Sequence, residues 1–127
     1  MSDRKEHNLK VAQRYVDLYN TDPERFVREC YHDDYQVGAM GVGWFDGVEK
    51  FIELEKAVLA AAPSRIMKVD RMHATDDAVV VEATIVDESR GADWSIPMCA
   101  VLDIRGDKIA IDRTYADYTD WPGFSSV

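Results

Sequence analysis

The sequence is poor in cysteine and has no long apolar run. Its 127 residues include only two cysteines, Cys30 and Cys99, which lack the paired spacing of a zinc site or a disulfide framework, so two buried thiols are expected. No segment is apolar and long enough to span a bilayer, and the charged N-terminus lacks the apolar stretch of a secretion signal. We therefore expect a cytoplasmic protein.

Basic residues are also scarce. The chain has 15 Lys and Arg residues against 24 Asp and Glu residues, for a net charge of -9. Such a charge opposes binding to nucleic acid or to an anionic membrane surface. The hydrophobic content of 46% is enough for one compact core, so residues 1–127 are predicted to form a single domain.

Helical periodicity dominates the first half of the chain. Apolar residues recur at helical spacing from Glu6 to Asn20, and Asp22 followed by Pro23 marks the start of a short second helix that runs to about Tyr31. A third helix is predicted from Gly47 to about Ala62. Between the last two helices we predict a short strand over residues 35–40 and a glycine-rich loop over residues 41–45.

The second half reads as strands joined by tight turns. The pattern predicts four of them, over residues 65–74, 78–88, 94–104 and 108–117, the last two forming a hairpin around an Arg-Gly-Asp-Lys turn. Three helices followed by a curved antiparallel sheet indicate an α+β fold.

The chain resembles the SnoaL-like branch of the nuclear-transport-factor-two-like superfamily. The resemblance lies in the order of these elements, the chain length, the start of the third helix at Gly47 and the closing hairpin. Polyketide cyclases, limonene-epoxide hydrolases, ketosteroid isomerases and scytalone dehydratases are related members. The resemblance implies a cone-shaped, mixed sheet wrapped around three N-terminal helices and an apolar cavity. It also implies a small apolar ligand, no cofactor or metal, and a homodimer formed through the outer face of the sheet, which carries Val80, Glu82, Thr84, Val86, Cys99 and Val101.

Two branches of the superfamily match only in part. Tyr15, in the first helix, corresponds to the isomerase tyrosine that donates a hydrogen bond to an enolate, but Ala39 and Ala100 replace the two isomerase carboxyl groups. Tyr35 matches an epoxide hydrolase site residue, whereas Ala83, Ile85 and Thr114 replace that family's water-activating triad. Tyr15 is equally explained as a core aromatic residue.

The SnoaL-like cyclases place an acid/base aspartate on the last strand, at the position of Thr114. Asp112 lies two residues earlier, so strand periodicity turns it to the same face, where apolar walls would raise its pKa and suit it to act as a base. The alternative is an ion pair between Asp112 and Arg113 or Lys108 at the surface. His73 resembles the strand histidine of the dehydratases, although its place next to a turn also fits a solvent-exposed side chain.

Asp112, Tyr15, Tyr35 and His73 are therefore the candidate catalytic residues. The predicted pocket consists of aromatic and methionine side chains of the glycine-rich loop and of inward strand positions: Met40, Trp44, Phe45, Ala83, Ile85, Met98, Ala100 and Thr114. Three functions remain open. One is a cofactor-free cyclase, isomerase or dehydratase for a polyketide-, steroid- or terpene-like carbonyl compound, and this is the function that the resemblance favours. The second is a carrier that binds such a ligand without chemistry, for which the absent family acids argue. The third is a subunit whose cone only supports dimerisation or a partner.

Overall fold

The computed structural model describes residues 3–124. Three helices precede most of a six-stranded mixed sheet, which confirms the predicted α+β class. The elements are α1 (Asp3–Tyr19), α2 (Pro23–Cys30), β1 (Tyr31–Ala39), β2 (Gly43–Phe45), α3 (Val48–Ala61), β3 (Arg65–Ala74), β4 (Ala78–Asp87), a 3-10 turn (Glu88–Arg90), β5 (Ser95–Arg105) and β6 (Lys108–Ala116). Within the described residues, no helix combines the length and the apolarity needed to cross a membrane.

The sheet has the strand order β2-β1-β6-β5-β4-β3 and is not closed into a barrel. All neighbouring strands are antiparallel except β1 and β6, which run parallel and bring the first strand beside the last. Parallel neighbours require a long crossover, and here the whole chain between β1 and β6 provides it. The final hairpin, formed by β5 and β6, therefore lies in the middle of the sheet, where the inward side chains of both strands are buried.

The two long strands β4 and β5 alternate strictly between buried and partly exposed positions. Val79, Val81, Ala83 and Ile85 of β4 point inward, and Ile96, Met98, Ala100, Leu102 and Ile104 of β5 do the same. This period of two is the sequence signal that predicts a sheet with one face on the core. The helices cover that face, and the sheet holds one continuous core against them.

Two asparagines, Asn8 and Asn20, hold α1 against the two ends of β3 by hydrogen bonds. The Asn8 side chain is fully buried and donates 3.1 Å hydrogen bonds to the carbonyl oxygens of Thr75 and Asp76 in the β3–β4 turn. At the other end, Asn20 exchanges hydrogen bonds with the backbone of Met67, accepting at 2.8 Å and donating at 3.2 Å. These bonds to backbone groups fix the helix relative to edge strand β3.

The region between α2 and α3 differs from the prediction. The first strand begins at Tyr31 rather than at Tyr35, because pairing of Tyr31 with Ile109 of β6 extends a strand through polar residues of low β-propensity. The glycine-rich segment is not a free loop, since its end forms β2 and pairs with β1. Trp44 pairs with Gly38, and the Trp44 ring occupies the space of a missing Gly38 side chain, with a contact of 2.9 Å to the position of a Cβ there.

Candidate active site

A cavity that is partly open to solvent lies between the helices and the inner face of β1, β5 and β6. Its walls are largely aromatic and aliphatic. The lining residues are Tyr15, Tyr19, Phe26, Tyr31, Val37, Gly38, Ala39, Phe45, Phe51, Leu54, Glu55, Val58, Met67, Met98, Asp112, Thr114, Tyr118, Trp121 and Phe124. A concave, mostly apolar pocket with a few polar groups is the usual form of a small-molecule site.

Asp112 enters this cavity from β6 because of a β-bulge. Ile104 pairs with Ile109, but Asp103 pairs with Ile111, so Ala110 is the extra residue between them. The bulge lets both Ile109 and Asp112 point to the inner face, although they are three residues apart. Asp112 then lies between Leu102 of β5 and Val37 of β1, in the middle of the sheet, and is only 3% exposed.

The Asp112 carboxylate is held by two hydroxyl groups. Tyr31 donates a hydrogen bond of 2.6 Å to one oxygen, and Thr114 donates one of 2.6 Å to the other. Burial raises the pKa of Asp112, while the two hydroxyl donors act in the opposite direction by stabilising the charged form. The alternative of a surface ion pair with Arg113 is wrong, because the Arg113 side chain instead lies 3.2 Å from Asp103.

Tyr15, on α1, lines the same cavity as Asp112. Its ring packs on Phe26 at a centroid distance of 5.3 Å, and the residue is 3% exposed. Burial and the nearby Asp112 charge raise the pKa of Tyr15 well above its ordinary value, so the phenol keeps its proton. Within residues 3–124 the Tyr15 hydroxyl has no hydrogen-bond partner, so it is free to donate to a ligand.

Glu55 is a second carboxyl group in the cavity and is not among the predicted site residues. It lies on α3, and burial raises its pKa to about 7, Asp112 adding to the rise and Arg65 opposing it. The signal was present in the sequence, since Glu55 falls one helical turn after Phe51 and three residues before Val58, both of which are buried. A glutamate in the middle of an apolar helical face points to a functional site.

The C-terminal segment closes one side of the cavity. Tyr118 donates a hydrogen bond of 3.0 Å to the Thr114 carbonyl oxygen and stacks on Trp121, and Phe124 packs against Tyr118 at 4.6 Å. The rings of Tyr118, Trp121 and Phe124 therefore form part of the cavity wall.

A family model for the SnoaL-like domain matches residues 12–111. The chain belongs to the SnoaL-like family. The match covers both α1, with Tyr15, and the hairpin, as far as the bulge that precedes Asp112. No curated protein matches this SnoaL-like chain.

Several solved structures share its fold at low sequence identity. A candidate SnoaL-like polyketide cyclase from Jannaschia sp. is 16% identical, with a TM-score of 0.81, over 94% of this chain and 91% of that one. An LEH-like epoxide hydrolase from M. tuberculosis is 16% identical, with a TM-score of 0.72, over 95% and 86%. A nuclear-transport-factor-two-like protein from Anabaena variabilis is 22% identical, with a TM-score of 0.74, over 91% and 93%. These likenesses confirm the fold of the SnoaL-like protein.

Of the residues that sequence reasoning chose, the SnoaL-like fold brings five together in the cavity: Asp112, Tyr15, Phe45, Met98 and Thr114. Ala83, Ile85 and Ala100 face inward but are buried in the core and do not line the cavity. They lie deeper along β4 and β5, where side chains of α1 and the sheet pack directly on one another.

Four other candidates lie outside the cavity. Tyr35 donates a hydrogen bond of 2.7 Å to the Gly47 carbonyl oxygen, which fastens the start of α3. His73 is on the outer face of β3, 2.7 Å from Glu82, with 55% of its side chain exposed. Trp44 is 56% exposed, and Met40 packs beside the Trp44 ring over Gly38, the strand partner of Trp44. Their positions correct the prediction that they share one site with Asp112.

No three histidine, cysteine, aspartate or glutamate side chains among residues 3–124 are placed to bind one metal ion. Glu55 and Asp112 are the only carboxylates that line the cavity within this part of the chain. The chemistry of the site is therefore that of two carboxyl groups, the buried Asp112 and the partly buried Glu55, and several phenols.

Proposed function

We propose that this protein is a cofactor-free acid/base enzyme, a cyclase, isomerase or dehydratase that acts on an apolar carbonyl compound. The observation that supports this function is the Asp112 carboxylate, buried at the end of an aromatic cavity and held between the hydroxyl groups of Tyr31 and Thr114. A carboxylate of raised pKa is a stronger base than an exposed one.

Asp112 would take a proton from the carbon next to a carbonyl group of the ligand. The C–H bond breaks, its electron pair forms the enolate, and the proton moves to Asp112. The unpartnered Tyr15 hydroxyl would donate a hydrogen bond to the enolate oxygen. The protonated Asp112 can then return the proton to another carbon, which is an isomerisation. Alternatively, the enolate carbon attacks a second carbonyl group, the C=O π electrons move to that oxygen, and the oxygen takes the proton from Asp112, which is a cyclisation.

Proton exchange tests this step without knowledge of the natural substrate. We would incubate the protein in D₂O with apolar ketones such as 2-tetralone and follow the loss of the α-proton signal by NMR. Wild-type protein should accelerate the exchange, and Asp112→Asn should reduce the acceleration by about 100-fold or more. Asp103→Asn is the matched control, because this carboxylate lies one strand away beside Arg113, outside the cavity. Undiminished exchange in Asp112→Asn would rule out this role.

The second candidate function is a carrier that binds an apolar ligand without chemistry. It is favoured by alanines at positions where related enzymes have acids, since Ala39 lines the cavity with only a methyl group. In that case the ketones should bind to wild-type protein, as measured by calorimetry, while their exchange rate stays at the rate in buffer.

A further inference from the structure

The charges that line the cavity have one sign. Glu55 and Asp112 are its acidic residues, and no lysine, arginine or histidine belongs to its lining in the described chain. The nearest guanidinium, that of Arg65, lies 4.3 Å over the Tyr19 ring and donates to the Tyr19 carbonyl oxygen at 3.1 Å. Arg65 thus offsets one negative charge from behind Tyr19, and the cavity itself stays net negative when both carboxyl groups are ionised.

Aromatic rings form most of the surface around these carboxyl groups. Nine of the nineteen lining residues are aromatic, contributed by α1, α2, β1, β2, α3 and the C-terminal segment. The face of an aromatic ring carries a negative quadrupole and attracts a cation, most strongly where water is excluded. Rings alone would suit any apolar ligand, so the charge of the ligand has to be inferred from the polar groups.

Three polar groups in this wall have no hydrogen-bond partner within residues 3–124: the Glu55 carboxyl group and the hydroxyl groups of Tyr15 and Tyr19. Glu55 forms no hydrogen bond or ion pair with any residue in 3–124, and the same part of the chain offers none to the Tyr15 hydroxyl, in a residue 3% exposed. A carboxyl group that stays unpaired in an apolar wall is costly, and the raised pKa of Glu55 reflects that cost. A positively charged ligand would remove it.

We propose that the cavity binds an organic cation, a protonated amine or a quaternary ammonium group, that sits among the aromatic rings and pairs with Glu55 and Asp112. The inference concerns the charge of the ligand and goes beyond the proposed function, since it holds whether or not the ligand is turned over. An anionic ligand would be repelled by both carboxylates, and a neutral one would not compensate the charge of Glu55 at a pH above its pKa of about 7.

Choline and 3,3-dimethylbutan-1-ol provide a test, because they share a shape and differ in charge. At pH 8, isothermal titration calorimetry should show choline binding at least about 10-fold more tightly than the alcohol. In Glu55→Gln this preference should fall about 10-fold, with circular dichroism confirming the fold. Glu53→Gln is the matched control, since Glu53 is an exposed residue of the same helix, and it should leave the preference unchanged.

The pH dependence of choline binding gives a second readout. Choline does not titrate, so its affinity should rise between pH 5.5 and pH 8 as Glu55, with a pKa of about 7, loses its proton, and the rise should be smaller in Glu55→Gln. The charged and titratable groups that face Glu55 from the packed elements are Tyr15 and Tyr19 of α1, Tyr31 of β1, Arg65 of β3, Asp112 of β6 and Tyr118.

Equal affinities, tighter binding of the alcohol, an unchanged preference in Glu55→Gln, or no binding of choline at millimolar concentration by the folded protein would each overturn the proposal. Choline has no carbonyl group, so this test is independent of the ketone exchange experiment. A failure of one leaves the other standing.

Discussion

Tyr31 and Asp112 are joined by a buried hydrogen bond of 2.6 Å, in which the Tyr31 phenol donates to a carboxylate oxygen 81 positions later in the chain. The bond crosses the parallel junction between β1 and β6, which is the step that brings the start of the sheet beside its end. Phe26 and Phe51 pack edge-on against the Tyr31 ring at 5.4 and 4.9 Å and hold the phenol in this position. The site therefore depends on the pairing of the first and last strands.

Tyr31→Phe should raise the pKa of Asp112 further. The change removes a hydrogen-bond donor that stabilises the charged form of Asp112. Only the Thr114 hydroxyl then opposes the rise in pKa that burial causes. We also expect the free energy of unfolding at pH 7 to fall by about 1–3 kcal/mol, as for the loss of a hydrogen bond to a charged group. Carbon-detected NMR titration of the aspartate carboxyl groups and thermal denaturation measure the two effects.

Tyr35→Phe is the control for this change. Tyr35 also packs on Phe51, but its hydroxyl donates to the Gly47 carbonyl oxygen, so its removal should leave the Asp112 titration in place. An Asp112 pKa that moves equally in both variants, or falls in Tyr31→Phe, would contradict the role assigned to the Tyr31 hydroxyl.

Glu55 should make the protein less stable as the pH rises. Its folded-state pKa is about 7, above the value near 4.3 of an unfolded chain, so the folded state holds the proton more tightly. The stabilisation is complete below the unfolded pKa and is lost between about pH 4.5 and pH 7, to an extent of roughly 2–4 kcal/mol. Asp112, also raised, adds to the loss with the same sign.

In Glu55→Gln this pH dependence should be smaller, and the variant should be the more stable protein at pH 8. Urea denaturation at intervals between pH 5 and pH 8 tests both points, with Glu53→Gln on the exposed side of α3 as the control. The carboxylates of Asp34, Glu82 and Asp87 have lowered pKa values and titrate below this window. A gain in wild-type stability from pH 5 to pH 8 would contradict the raised pKa of Glu55.

The sequence predicts well those parts of the fold in which a hydrophobic pattern repeats over many residues. The alternation of β4 and β5 and the apolar stripe of α1 each extend over ten residues or more, so the sequence pattern predicts which of their side chains are buried. The short β2 has three residues and depends on pairing with β1, which no local pattern shows. The same limit explains why β1 was predicted to begin late.

The site was less predictable, because distant residues assemble it. The inward orientation of Asp112 follows from strand periodicity relative to Thr114, but its partner Tyr31 depends on the β1–β6 pairing. Trp44 and His73 were chosen for their residue type, and the register places both on the outer side of the sheet. Residue type indicates possible chemistry, whereas position depends on the tertiary structure.

Gly123→Ala should loosen the C-terminal wall of the cavity. Gly123 has a φ of +79°, and a Cβ added there would lie 2.5 Å from the Ala57 carbonyl oxygen of α3. The left-handed conformation costs about 1–2 kcal/mol for alanine, and the clash adds to that cost by pushing the segment away from the helix. Trp121, which is 9% exposed, should then show red-shifted fluorescence and easier quenching by acrylamide.

Gly106→Ala is the matched control for that variant. Gly106 has a φ of +65° but open space around it, so alanine there bears the conformational cost without the clash. We expect Gly123→Ala to be the more destabilised of the two and the only one with altered Trp121 fluorescence. Equal destabilisation with unchanged fluorescence would mean that the segment does not press on α3.

The outer face of the sheet carries an apolar patch, and we infer that it forms a homodimer. Val80 pairs with Val101, Ile66 with Val86, and Cys99 with Tyr115. Ile66 is 47% exposed and Tyr115 is 49% exposed, so the patch presents large apolar side chains to solvent. Charged residues stand among these apolar ones, since Glu82 pairs with Arg71 and His73 on the same face. Exposed large apolar side chains are typical of an interface, and a two-fold axis through the sheet would let the same face pair with itself.

Analytical ultracentrifugation should therefore show a dimer for wild-type protein at micromolar concentration. Tyr115→Glu should shift it to monomer, because each interface would then bury two added carboxylates. Val42→Glu is the control, since Val42 is 55% exposed but lies in the turn between β1 and β2, away from the patch. A wild-type monomer, or a Tyr115→Glu dimer as stable as the wild-type one, would show that this face is not the interface.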